Sequence, residues 1–469
     1  MLQLPKIDRE ILWQRLALEL ERYVESVAEL RVAPQLEPQR IRNGLADLDF
    51  LHPLTPAEAI DVAIDGLTRD QVHTPHPLYF GLFNPAPTTM GVAGDTLAAA
   101  FNPQIAAWSH SPWAAEVERH LIRQFGTKFG YPASQTDGTF AAGGMEANHT
   151  AVLCALVDAF PDYATGGVRA LEKQPVMYIS AESHHSLLKS ARLSGIGMNA
   201  VRQIPVDDKL RMRPDALAAA IGRDRDQGLA PFLVAATAGT TGAGAIDPLP
   251  EIAEVAETER LWLHVDAAWA GAAALVPEMR PLLAGIQRSR SITFDAHKWL
   301  SVPMGAGIYL TRDHTVMERA FRVQSAYMPK EAANLDIVDP HLHTMQWSRR
   351  FIGLKVFLSL LVAGWDGYAE AIRHQTSMGA LLRRQLAECG WEIVNDTPLP
   401  VVCFAEPGAA DERQKQIALA VVASGEAWIS TTQVGGRRTA LRACITNFLT
   451  GPADIRALVE TLNRVRAGS

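Results

Sequence analysis

Apolar residues recur at helical spacing in the first part of the chain. Ile11, Leu12, Leu16, Leu20, Tyr23, Val24 and Val27 stand among acids and arginines and predict a helix from residue 8 to about 32. Thr55-Pro56 supplies the cap and first position of a second predicted helix, 55–67. Prolines from Pro75 to Pro87 break regularity and predict a rigid loop. Between about 90 and 310 the pattern changes. Short apolar runs at 176–180, 232–236, 261–265, 291–294 and 306–310 read as strands, and helical patterns at 146–160, 214–223 and 249–259 separate most of them. Such alternation predicts an α/β fold, a mostly parallel sheet covered on both faces. A stretch over 325–345 carries two prolines and few periodic apolar positions, and reads as a mobile loop. A helix over 349–372 follows, then strands at 392–394, 401–404 and 439–445 with helices at 411–424 and 453–465. The predicted division is an N-terminal helical segment (1–90), a large domain (91–350) and a small C-terminal α/β domain (351–469).

Composition narrows the function. Of 469 residues, 48% are hydrophobic, which is too many for a disordered chain and ordinary for a large core. That length implies two or three domains. Acids exceed bases by seven (51 minus 44), a balance that argues against coating nucleic acid or anionic membrane. Cys154, Cys389, Cys403 and Cys444 are far apart, so neither a disulfide framework nor a zinc ribbon is supported, and a reducing cytoplasm fits. The most apolar stretch, 261–277, contains His264 and Asp266 and fails as a membrane span. The first residues lack the basic start and apolar core of a signal peptide.

In an open parallel sheet, ligands bind beyond the carboxyl ends of the strands, so the residues after each predicted strand matter most. Glu182, His184 and His185 follow the first run, and Thr237-Ala238-Gly239-Thr240-Thr241-Gly242 follows the second. The third ends in Asp266, and the fourth runs into Asp295-Ala296-His297-Lys298. A carboxylate, imidazoles, hydroxyls and an amine thus gather at one sheet edge. Upstream, Gly143-Gly144-Met145-Glu146-Ala147-Asn148 enters a helix, where free backbone N–H groups and the macrodipole favour a phosphate. Dinucleotide motifs fail. Gly195-Ile196-Gly197 has no strand immediately before it, Gly242-Ala243-Gly244 lacks a third glycine, and no GxxxxGK[ST] occurs.

At these residues the sequence resembles the group II decarboxylases that use pyridoxal 5′-phosphate (PLP), the family of aromatic amino acid, glutamate and histidine decarboxylases. The likeness runs from about residue 76 to 447. Asp295-Ala296-His297-Lys298-Trp299-Leu300 resembles the cofactor-lysine signature, and Leu263-His264-Val265-Asp266-Ala267-Ala268-Trp269 resembles the HVDAAY or HVDAAW segment. Gly143–Asn148 resembles the GG[ST]EAN turn, with Met145 in place of the hydroxyl residue. The resemblance implies a fold-type I PLP-dependent transferase-like α/β architecture, a homodimer built by the N-terminal helices, and an active site shared between subunits.

It also implies roles. Lys298 forms the Schiff base, and an amine does so only when deprotonated. Asp266 holds the pyridine nitrogen protonated, which keeps the ring an electron sink. His184, rather than the adjoining His185, stacks on the ring, and Ala268 packs on the other face. His297 and the amides of Gly143, Gly144 and Met145 hold the phosphate, and Thr240 bonds near the cofactor. Phe83 and Trp108 fit an aromatic or apolar substrate pocket, or ordinary core. Arg442 fits a substrate contact or a structural ion pair.

The chain departs from the family in the loop over 325–345. Animal aromatic amino acid decarboxylases carry a protonating tyrosine there. Counting back from Arg349-Arg350 puts Pro340 at that position, beside His341 and His343, while Tyr327 lies nearer the loop's start. The expected reaction is decarboxylation of an amino acid to its amine, with His341 or His343 supplying the proton. Decarboxylation coupled to oxidative deamination, a related PLP carbon–carbon lyase and a catalytically silent scaffold stand as alternatives, and the Lys298–Asp266 pair argues against the last.

Overall fold

The computed structural model describes residues 2–323 and 335–468. Seven strands form the large sheet: β1 (Asp137–Ala141), β2 (Pro175–Ser180), β3 (Val201–Ile204), β4 (Ala230–Thr237), β5 (Trp262–Asp266), β6 (Ser291–Asp295) and β7 (Gly307–Thr311). Their order is β1-β7-β6-β5-β4-β2-β3, and only β7 runs against its neighbours. The five apolar runs predicted as strands match β2, β4, β5, β6 and β7 to within about two residues. Every residue of β2, β5, β6 and β7 is buried, which explains why they read as continuous apolar runs.

Alternate residues feed two cores. Val176, Tyr178, Val234, Leu263 and Val265 pack with the helices Pro112–Lys128, Pro214–Asp226 and Leu249–Thr258 on one face. Met177, Ile179, Leu233 and Trp262 pack with the helix Gly144–Ala159 on the other. Two edge-side strands, β1 and β3, are absent from the sequence reading. The former opens on Asp137-Gly138-Thr139, and the latter, Val201-Arg202-Gln203-Ile204, is half exposed. Neither presents an apolar run.

The second sheet comprises β8 (Glu392–Ile393), β9 (Val401–Ala405), β10 (Ser430–Val434) and β11 (Arg438–Cys444), antiparallel in the order β10-β11-β9-β8. Helices Asp411–Ser424 and Pro452–Ala467 cover it. The half-polar strand β10 is the one the pattern did not single out. The connecting helix starts later and runs further than expected, from Gly353 to Glu388, with a break at Gly364, whose φ of +63° lies in the left-handed region glycine tolerates.

At the N-terminus, helix Lys6–Ser26 buries none of its residues and leaves Ile7, Ile11, Trp13, Leu18 and Val24 exposed. Thr55 caps the helix Pro56–Arg69 in a reciprocal box with Glu58, as its sequence position predicts. Much of the loop assigned to 325–345, Tyr327 included, lies outside the described residues. No helix among the described residues is long and apolar enough to cross a membrane.

Candidate active site

The strand register brings the chemistry to one edge. Thr237 on β4 pairs with Asp266 on β5, and Asp295 on β6 pairs with Gly307, which in turn pairs with Ala141 at the end of β1. The chain turns immediately after β6, and Lys298 N donates to Asp295 O at 3.2 Å. That turn aims the Lys298 ammonium at Asp295, with Nζ 2.9 Å from Oδ2. Asp295 is 1% exposed and its Oδ1 has no hydrogen-bond partner among the described residues.

The glycine turn closes on the same group. A Cβ on Gly144 would stand 2.8 Å from Asp295 Oδ2 and 3.4 Å from the Ala268 methyl, and one on Gly143 would stand 3.6 Å from His297 Cε1. Gly144 and Met145 open the helix Gly144–Ala159, where helix geometry leaves the N–H groups of the first turn without an internal acceptor. With their dipole these amides form an anion cradle next to the amine.

Asp266 is buried and accepts from Ala268 N on Oδ1 at 3.1 Å and from Asn148 Nδ2 on Oδ2 at 2.8 Å. His184 Nδ1 accepts from Ser186 N at 3.2 Å, which leaves the ring proton on Nε2. Burial lowers its pKa, and the charges of Asp266, Lys298 and Asp295 all reach it. His297 Nδ1 accepts from Ala306 N at 3.2 Å, its Nε2 lies 4.0 Å from Asp295 Oδ2, and burial lowers its pKa too. Both imidazoles are therefore neutral, flat groups. Thr240 is fully buried and ties its turn, with Oγ1 accepting from Ala245 N at 3.0 Å.

Phe83 and Arg442 pack against the segments that carry Ala268 and Thr240. Phe83 is buried, stacked on Trp269 at 4.4 Å and 18°. Arg442 forms no ion pair among the described residues. Its guanidinium donates to Thr241 O (2.6 Å), Gly81 O (3.1 Å) and Ser430 Oγ (3.0 Å), joining two loops to the neighbouring strand β10. The expected structural ion pair is therefore corrected to a clamp on neutral acceptors.

Trp108, His341 and His343 gather at another place. Trp108 donates from N to Asp339 Oδ1 and from Nε1 to Glu116 Oε1, at 2.8 and 2.9 Å. His341 Nδ1 donates to Ala106 O at 3.0 Å. His343 lies 3.8 Å from Asp137, at the opposite end of β1 from Ala141 and the glycine turn, about 13 Å along the strand at ~3.3 Å per residue. A cavity of about 290 Å³ lined by Trp108, Asp137, Pro340 and His343 contains none of the residues around Lys298. Within one subunit, then, His343, expected as a proton donor, stands at the Asp137 end of β1 and away from Lys298, while Gln346 further along reaches Glu146 in the first turn of the helix Gly144–Ala159 at 2.5 Å.

Asp295, Asn148 and His264 belong to the site's polar framework and were not picked out as functional. All three lie inside the quoted motifs, and Asp295 was visible as the residue closing the turn onto Lys298. An amine, a buried carboxylate, two neutral imidazoles and a helix N-terminus suit, in that order, the aldehyde, ring nitrogen, ring face and phosphate of PLP.

Comparison with known proteins agrees. Residues 38–406 match the family described as pyridoxal-dependent decarboxylase conserved domain. The chain is 29% identical to an aromatic-L-amino-acid decarboxylase of Bacillus atrophaeus, covering 92% of this chain and 91% of the relative. It is 29% identical to the human cysteine sulfinic acid decarboxylase over 93% of this chain and 91% of that protein. The crystal structure of Oryza sativa TDC with PLP and tryptamine superposes with a TM-score of 0.91 at 26% identity, covering 100% of this chain and 99% of that one. On the breadth of these matches, and on a fold that carries lysine, aspartate and glycine turn to one sheet edge, the chain belongs to the pyridoxal-dependent decarboxylase family, PLP enzymes that remove carbon dioxide from amino acids.

Proposed function

We propose that this enzyme converts an L-amino acid with an aromatic or other apolar side chain to its amine, with Lys298 carrying PLP as a Schiff base. The observation that carries the reading is the meeting of Lys298 Nζ, Asp295 and the first turn of the helix Gly144–Ala159 beside a buried Asp266. When bound, the protonated pyridine ring takes up the electron pair left by departing carbon dioxide.

The chain's own groups do the rest. Asp266 holds the ring nitrogen's proton, His184 fixes the plane of the ring from one face, and the small Ala268 leaves room on the other. The Gly143–Met145 amides and His297 bind the phosphate, and Thr240 stiffens the turn beside it. Asp295 holds the Lys298 amine at the carboxyl edge of β6, within reach of the group it would carry.

An apolar substrate is favoured by charge as well as by shape. Phe83 and Trp269 offer a stacked aromatic wall, whereas the guanidinium of Arg442 already serves three protein acceptors and is poorly free for a substrate carboxylate. The rice and Bacillus relatives, by their names, also handle aromatic compounds. We further propose a cytoplasmic homodimer with a shared active site, in which the apolar face of residues 1–90 pairs, domain 91–350 binds the cofactor, domain 351–469 closes over it, and Trp108 or His341 serves the partner's site. The exposed Ile7, Ile11, Trp13, Leu18 and Val24 support pairing, since an isolated helix has no reason to show that face to water.

Borohydride treatment followed by peptide mapping should find the cofactor on Lys298. A panel of amino acids assayed for carbon dioxide, amine, aldehyde and peroxide should give amine and carbon dioxide, fastest with aromatic side chains. Aldehyde with peroxide as the main products would refute simple decarboxylation.

A further inference from the structure

Behind Asp266 lies a chain of buried polar side chains that no step above uses. Successive side chains of a strand alternate, so Trp262, His264 and Asp266 share one face of β5, the face that packs under the helix Gly144–Ala159. Ser291 on β6 is in register with His264, and Asn148 comes down from the first turns of the helix. Trp262 is 2% exposed, Asn148 1%, and His264 and Ser291 are fully buried.

The direction of this chain follows from what each group can do. The Trp262 indole N–H can only donate, and it donates to Ser291 Oγ at 2.8 Å. The Ser291 hydroxyl then donates to His264 Nδ1 at 2.9 Å. A neutral imidazole that accepts at Nδ1 carries its proton on Nε2, and Nε2 faces Asn148 Oδ1 at 3.0 Å, with Thr293 Oγ1 a longer second acceptor at 3.4 Å. Asn148 Nδ2 in turn donates to Asp266 Oδ2 and Ser186 Oγ, both at 2.8 Å. Turning the amide round would set its oxygen against the carboxylate and its N–H groups against the His264 N–H, so only one orientation satisfies every member. Burial pushes His264 down to about 4, which keeps the ring neutral near neutral pH and the chain one-way.

We propose that Asn148, His264 and Ser291 are positioning residues: a one-way hydrogen-bond chain, started by Trp262, that fixes the rotation of Asp266 and holds Oδ2 as an acceptor, so that the carboxylate meets the cofactor ring nitrogen in one geometry. The inference rests on the reading of Asp266 as the ring-nitrogen partner. Its chemistry is that of a buried network in which each member polarises the next, and removing a link leaves its neighbours unpaired.

The test measures two properties of the bound cofactor in the holoenzyme: its dissociation constant on dialysis and the circular dichroism of its absorption band, which reports how the ring is seated. Asp266→Asn, Asn148→Ala, His264→Phe and His264→Gln are compared, with far-ultraviolet circular dichroism as the check on folding. Asn148→Ala should weaken cofactor binding on the order of 10- to 100-fold, the usual cost of removing an outer partner of a buried ligand group, and should diminish the induced band. His264→Phe should follow it. His264→Gln keeps a donor at the Nε2 position and should recover most of both signals. Equal losses in His264→Phe and His264→Gln, or wild-type values in Asn148→Ala, would overturn the chain. Wild-type values in Asp266→Asn would instead overturn the reading of Asp266 beneath it, and the proposal with it. Loss of the folded signal in the mild His264→Gln variant would assign the chain to packing and overturn it as well.

Discussion

An acid–base pair stands at each end of β1, β7 and β6, and the two pairs differ in every respect that matters to chemistry. At the Ala141–Gly307–Asp295 rung, Asp295 and Lys298 meet at 2.9 Å beside the free amides of a helix N-terminus. At the opposite rung, Asp137–Thr311–Ser291, Asp137 and His343 stand 3.8 Å apart, and His343 Nδ1 has no hydrogen-bond partner among the described residues. Burial pushes the Asp137 carboxyl up and the His343 ring down, so each is driven towards its neutral form. Residue types alone do not make a site. The carboxyl ends of the parallel strands add a glycine turn that opens a sixteen-residue helix onto the acid–base pair, and no such helix start faces Asp137 and His343 among the described residues.

The sharpest way to break this comparison is to remove one base from each pair. Lys298→Ala should lower kcat by on the order of 10³-fold or more, as removal of a covalently acting group does, and should abolish borohydride trapping. His343→Gln should change kcat/KM by less than about tenfold, the scale of a remote or positioning contact, with cofactor content unchanged. Comparable losses in the two variants, measured by steady-state decarboxylation and cofactor absorbance, would erase the distinction.

That contrast also marks what was legible in the sequence. Lys298, Asp266 and His184 could be read because each closes or follows a strand whose apolar run is unmistakable, and strand ends define an edge, whereas Gly143–Asn148 follows a strand with no such run and was legible only as glycines entering a helix. His343 could not be placed, since nothing in 335–349 fixes the path of a segment with little regular structure. The Trp262-x-His264-x-Asp266 alternation was hidden for another reason. Neighbouring Leu263 and Val265 are as buried as the polar residues, so β5 reads as one run rather than two faces. Phe83 reads alike as pocket wall or core, and the structure buries it in the core stacked on Trp269.

Arg442 sharpens the comparison at an intermediate scale. It is a buried cation bound to neutral acceptors, unlike either acid–base pair. Arg442→Ala strips a partner from Thr241 O, Gly81 O and Ser430 Oγ and should destabilise by about 2–4 kcal/mol, given roughly 1–3 kcal/mol for a buried group left unsatisfied and some access for water. Urea unfolding would read the loss. A change in substrate KM with no loss of stability would make Arg442 a substrate contact rather than a clamp.

The smallest expected effect is a pH dependence of stability. Burial holds His264 at about 4 in the folded protein, against 6.5 ordinarily. Between those values the unfolded chain binds a proton that the native state refuses. The stability due to a neutral His264 is therefore complete above pH 6.5 and is lost as pH falls towards 4, by about 1.4 kcal/mol per unit for one proton. Asp247 acts in the opposite sense: burial pushes it up to about 6, so from pH 6 down to 3.8 the native state gains relative to the unfolded chain as acid is added. The wild-type profile mixes both, and the difference between wild type and His264→Gln isolates the histidine. Urea unfolding at pH 7, 6 and 5 should show the variant's deficit shrinking as pH falls. His343→Gln should show the same trend more weakly, because the raised Asp137 beside it titrates with the opposite sign. A deficit in His264→Gln that is constant with pH would mean that His264 takes up protons alike in the native and unfolded states, so the fold would not be holding the ring neutral, and the one-way chain would lose its support.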